Sequence, residues 1–156
     1  MIRAYAPFTG QLFAATWPMD DPVAVFAPGP QERRLTGDDL ELAEYRAMTA
    51  AAASVSEDAL RSGSPRAVVA VDLQEDALAA ATEVVAGVVV GTSAIDPLRT
   101  ASVHIDDPEG FAALPEDRDA ALAALAESDL LWFDSAEIGQ LVELLTQLGA
   151  DDGLER

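Results

Sequence analysis

The chain has no cysteine, no lysine and a single histidine, His104, among its 156 residues. Without cysteine there is no thiol nucleophile, no disulfide frame and no thiolate zinc site. Without lysine there is no Schiff-base chemistry, and no Walker-type phosphate loop, whose lysine must reach the terminal phosphates. No Gly-x-Gly-x-x-Gly run is present to cradle a dinucleotide, and no Gly-x-Ser-x-Gly elbow to present a serine nucleophile. Apolar stretches are broken by proline, glycine or charge before the roughly 18–20 residues that a membrane span needs. Pro7, Gly10 and Gln11 interrupt what would be a signal core at the N-terminus, so a cytoplasmic location is expected.

What is there is acid. Twenty-eight aspartates and glutamates face nine arginines, for a net charge of −19. Half the residues are hydrophobic and mean hydropathy is +0.14, so this is a chain with a core and not a disordered acidic tail. Abundant alanine, with arginine in place of lysine, is the mark of a GC-rich genome. The charge is uneven: residues 104–156 hold fourteen acids against two arginines. Such a field repels nucleic-acid phosphates and anionic membranes, and it favours solubility and cationic partners. The expected partner is therefore another protein or a second copy, not nucleic acid or membrane, and no cofactor is expected.

Along the chain, Met1–Pro7 alternates as a strand. Thr9 can cap a short helix through Thr16, which Trp17-Pro18 stops. Val23–Ala27 is a second strand, ended by Pro28-Gly29-Pro30. Thr36, with Asp39 three residues on, predicts a helix start. That helix runs to about Leu60, with Leu42, Tyr45, Met48 or Thr49, Ala52, Val55 and Ala59 tracing its apolar face. Arg66–Leu73 (RAVVAVDL) is a near-continuous apolar run, expected as a central strand covered on both faces. Val84–Val90, with Gly87 inside it, and Thr100–Ile105 are further strands. Pro115 suits the first position of a helix that the acids 116, 117 and 119 favour. Leu130–Phe133 is a short strand. Asp134 and Glu137 make a capping-box pattern before a last helix lined by Ile138, Leu141, Leu145 and Leu148, with Gly149 as its cap. Residues 1–150 are thus expected to form one α+β domain. It would hold a mixed sheet of five to six strands with helices packed mainly on one face, and residues 151–156 would be a frayed acidic tail.

Taken in order, MIRAYAP, ELAEYRAMTAAAAS, RAVVAVDL, ASVHIDD and LLWFDSAEI resemble a family of uncharacterised actinobacterial proteins. Its members open on a Met-basic-Val-Tyr-Val-Pro-like strand and carry Leu-Leu-Trp-[Tyr/Phe] before a closing helix. Ala4 and Ala6 stand where that family has valines, and the segment after Pro28 departs from its Thr-Pro turn. The resemblance implies a single cytoplasmic domain and transfers no activity and no catalytic residue.

His104 lies two residues before Asp106, on the same side of a strand, and a carboxylate-oriented imidazole is a general-base arrangement. Asp72, Asp106, Asp107 and Asp134 fall at or past strand ends, where converging carboxylates can hold Mg²⁺ for hydrolysis or nuclease chemistry. Trp132 and Phe133, and Tyr45 with Arg46 on the long helix, are candidates for a protein contact. The acid surface would also suit a mimic of DNA, if carboxylates were spaced like phosphates. Because the reactive groups look dispersed, the expected role is a non-catalytic, acidic protein-binding module. A Mg²⁺-dependent enzyme and a DNA mimic are the alternatives.

Overall fold

Alternation along β1 (Ile2–Thr9) sends Ala4, Ala6 and Phe8 to one side and Tyr5 to the other, and all four are buried. A strand with two buried sides belongs in the middle of a sheet. The computed structural model, which describes residues 1–154 and the side chains of residues 1–149, places it there. β1 pairs with β2 (Val23–Pro28) on one side and with β3 (Arg66–Leu73) on the other. The sheet also holds β4 (Thr82–Val85), β5 (Val88–Ser93), β6 (Thr100–Ile105) and β7 (Leu131–Asp134), in the order β4-β5-β2-β1-β3-β6-β7. Every neighbouring pair is antiparallel.

The sheet thus has seven strands and is antiparallel, where the sequence predicted a mixed sheet of five to six. The additional strand comes from Val84–Val90, which is not one strand with a bulge. The chain turns back at Ala86-Gly87, with Gly87 at φ +80°, a conformation that favours glycine. Two valine-rich arms on either side of that turn make β4 and β5 a hairpin.

Helices cover both faces of the sheet, not mainly one. On the first face, α1 (Gly10–Thr16) and α6 (Ile138–Leu154) bring Phe13, Ile138, Leu141 and Leu145 onto Ala4, Ala6, Val69, Val103 and Ile105. A Cβ on Gly10 would lie 3.1 Å from Leu145 and 3.2 Å from the Pro65 carbonyl, so glycine lets α1 approach α6 closely. On the second face, α2 (Gly37–Ser54) lays Ala47, Ala51 and Ala52 on Tyr5, Phe26, Val68 and Ala70. Its buried stripe is alanine; Leu42 and Tyr45, expected to face the core, are exposed. The long helix also breaks at Val55, so α3 (Ser56–Ser62) is separate, and Gly63 closes α3 in the left-handed region.

Two further starts differ from expectation. α4 (Pro108–Ala112) forms directly after β6. α5 (Arg118–Glu127) begins three residues after Pro115, because the Asp117 carboxylate accepts the Ala120 N–H and caps it there. Thr36 makes no side-chain cap, whereas Thr9 and the Asp134–Glu137 box form as the sequence predicted. Gly149 lies inside α6, which continues to Leu154; the end of the expected tail, residues 155–156, lies outside the described residues. Among the described residues, no helix is long and apolar enough to cross a membrane.

Candidate functional site

The two faces are furnished unequally over β6 and β7. On the first face α6 reaches both strands. On the second, α2 packs on β5, β2, β1 and β3, its main contacts stop there, and α5 packs against α3 and α2 at one end of the sheet. The residues of β6 and β7 that point to this second face are Ser102, His104, Trp132 and Asp134, with His104 opposite Trp132 and Ser102 opposite Asp134.

His104 is half-buried. Its Nε2 shares a hydrogen bond of 2.9 Å with Ser102 Oγ. Burial, and then the positive charge of Arg3, lower the imidazole from 6.5 to about 4, so it is neutral at physiological pH. The expected partnership with Asp106 does not form, because Asp106 is committed elsewhere. Its Oδ2 accepts from Arg66 Nε at 2.9 Å and from the Arg66 backbone N–H at 2.8 Å, and its Oδ1 accepts from Arg66 NH2 at 2.8 Å. Arg66 also donates to Ser56 Oγ and to the Leu125 carbonyl. Both members of the pair are buried. A carboxylate held bidentately at this depth is a fixed brace between β3, α3 and α5.

Each of the other strand-end aspartates has a partner of its own. Asp72 accepts from Arg3 Nε at 2.8 Å. Asp107 caps α4 through the Glu109 N–H, and Asp134 caps the turn 135–137 through the Ala136 N–H. Among the described residues, no three potential metal ligands come together. Nor is Ser102–His104 a working dyad: Ser102 is 3% exposed, so a substrate carbonyl has no approach, and no carboxylate orients the ring from its other side.

What remains open is a strip. Trp132 is 64% exposed on β7 beside His104. Leu130, two positions earlier on the same side, packs at the edge of the second core. A groove of about 280 Å³ runs between α2 and the end of α5; Tyr45, Met48, Leu125, Leu130 and Asp129 line it, with the buried Arg66 at its base. Near the other end of the strip lie Tyr5, Arg3, Asp72 and Glu44. Burial, and secondarily the charge of Glu44, push the Tyr5 phenol up. Burial also raises the Glu44 carboxyl; Arg3 opposes that shift, and Asp72 and Glu41 reinforce it.

A family model described as a family of unknown function, DUF6912, matches residues 2–142. The chain belongs to this family. No match was found for it among curated proteins or solved structures. The span that matches the DUF6912 model holds all seven strands, and with them His104, Trp132 and the Arg66–Asp106 brace.

Of the expected contact residues in this DUF6912 chain, Trp132 and Tyr45 border the open strip. Phe133 points to the first face and packs against its core, as the strand period requires. Arg46 is exposed on α2 but stands a step of about 100° around the helix from Tyr45 and does not line the groove. Met48, Leu125 and Leu130, which the sequence assigns to apolar faces or a strand and not to a contact, also line the groove. Leu130 was within reach of the sequence: in Leu130-Leu131-Trp132 the alternation alone puts Leu130 and Trp132 on one side.

Proposed function

We propose that this DUF6912 protein is a non-catalytic docking module for a basic protein, and that its contact surface is the β6–β7 half of the second face. One observation carries the reading: among the described residues, Trp132 is the most exposed aromatic side chain of the sheet and stands beside a neutral, half-buried imidazole on a part of the sheet where no helix packs extensively. A large amphipathic ring held rigidly on a strand is the kind of anchor that dominates interfaces. Asp129 lines the adjoining groove, Asp134 follows Trp132 on the same face of β7, and the two cations of this region, Arg3 and Arg66, are already paired with Asp72 and Asp106. A positive partner is therefore favoured in both approach and specificity. Nine arginines against no lysine support a GC-rich, actinobacterial-type cytoplasm as its setting.

The enzymatic alternative finds no support in the geometry, since each carboxylate it needs is bound in a cap or an ion pair. The test is comparative capture from such a cytoplasm, with the wild-type chain and Trp132→Ala as baits. Basic proteins should be retained by the wild type, released as salt rises, and lost with Trp132→Ala. Equal retention by both baits overturns the reading.

A further inference from the structure

We infer that the occupant of this surface is an amphipathic, arginine- or lysine-rich helix of the partner, lying along β6 and β7 beside α2. The inference rests on the docking reading above and adds the shape of what docks.

The first argument is width. Strands lie about 4.8 Å apart, and a helix with its side chains is about 10 Å across, so one helix covers about two strands. α1 and α6 lie side by side on the first face. On the second face α2 packs on β5, β2, β1 and β3, and among the described residues no helix packs to a comparable extent on β6 and β7 there. The vacancy is two strands wide, the footprint of one helix at the 8–10 Å spacing of packed helices.

The second argument decides between a helix and an added strand. β7 is the edge of the sheet, so strand addition is the obvious competitor. The Asp106 N–H bonds to the Arg66 carbonyl on β3. By the alternation of antiparallel ladders, the backbone groups of Ile105 then point to β7, those of Leu131 and Phe133 point back to β6, and those of Trp132 and Asp134 point outward. The outward Asp134 N–H is already taken by Glu137 Oε1. Within β7 the free edge thus offers one complete residue, Trp132. A strand gains almost nothing there, whereas a helix arrives with its own backbone satisfied and needs only side-chain contacts.

The third argument is chemical. The slot presents Trp132, Leu130 and the neutral His104 as floor, and Tyr45 and Met48 as wall. Its groove has room for one apolar anchor side chain. Asp129 lines the groove and Asp134 shares this face of β7, in a chain whose net charge is −19. An apolar stripe flanked by cations matches this pattern. A second copy, itself at −19, does not.

Three synthetic 18-residue peptides test it: a leucine-and-lysine amphipathic helix, a scrambled peptide of the same composition, and an extended peptide alternating lysine with valine. Binding is read from the Trp132 indole N–H resonance, assigned by its loss in Trp132→Phe, and from peptide helicity by circular dichroism. The amphipathic peptide should shift that resonance, become helical on binding, and bind at least about tenfold more tightly than either control. Trp132→Ala and Met48→Glu should each weaken it by about tenfold; both side chains lie outside the fully buried core, and thermal melting checks the fold of each variant. Equal binding of the alternating or scrambled peptide, or indifference to both substitutions, overturns the helix. Trp132-dependent capture of a basic protein whose contact segment binds in extended form overturns the helix alone and leaves the docking reading standing. Loss of Trp132-dependent capture overturns both.

Discussion

At Arg66 a charge opens an otherwise apolar strand, and every consequence follows from the need to satisfy it. Its guanidinium binds Asp106, Ser56 and the Leu125 carbonyl at once, so one side chain ties β3 to α3, α5 and the end of β6. Removing one member strands the other as an uncompensated buried charge. Arg66→Met should therefore cost about 3–5 kcal/mol in urea denaturation, while Arg66→Met combined with Asp106→Leu should regain most of that loss. A catalytic Asp106 would not be replaceable in this way. His104 supplies the second residue-scale expectation. Its folded value of about 4 lies below the 6.5 of the unfolded chain. Between those values the unfolded chain binds the proton and the folded one does not, so stability is full above pH 6.5 and is lost as pH falls towards 4. Partial solvent contact trims the full linkage value to about 1–2 kcal/mol. Glu44, raised by burial, works in the opposite sense as pH falls. The clean measurement is therefore the difference between wild type and His104→Asn, whose amide can still bond Ser102 without titrating. That difference should shrink by about 1–2 kcal/mol between pH 7 and 4.5; parallel curves would show that the imidazole is not desolvated.

At the scale of elements, α2 packs through what its stripe lacks. Ala47 and Ala51 are fully buried against the sheet, and that small-residue contact brings helix and strands close together. Ala47→Leu should then force α2 off the sheet and lower stability by about 1–3 kcal/mol in thermal or denaturant melts. A neutral result would mean slack beneath the helix. The same stripe explains why the sequence pointed to the wrong face. Hydrophobic periodicity weights Leu42 and Tyr45 heavily and alanine hardly at all, yet close approach selects alanine. The hairpin was hidden for a related reason. Ala86-Gly87 interrupts two valine runs so briefly that the apolar pattern continues across the turn, and only the backbone angle at Gly87 marks the reversal. Thr9, the Asp134–Glu137 box and the stripe of α6 were legible because each is a local pattern, complete within a few residues. Asp106 was misassigned because its partner, Arg66, lies forty residues away on a neighbouring strand and leaves no trace in spacing; the true partner of His104, Ser102, lies two residues before it on the same side of β6 and was within reach of the alternation.

At the scale of the molecule, the α+β class and the central place of β3 were legible, since a β-branched run without alternation needs cover on both sides. Strand order and the unequal cover of the two faces were not, because both depend on which distant segments meet. That inequality leaves Trp132 exposed on β7, in the acid-rich third of the sequence. The strand order has a further consequence for how the protein is made. Of the seven strands, the one made earliest is the middle plank of the finished sheet. It can hold hands with β2 early, but its longer partner, β3, begins at Arg66. Until β3 has been translated, one flank of that plank is a bare ribbon edge, open to pairing with any other strand it meets.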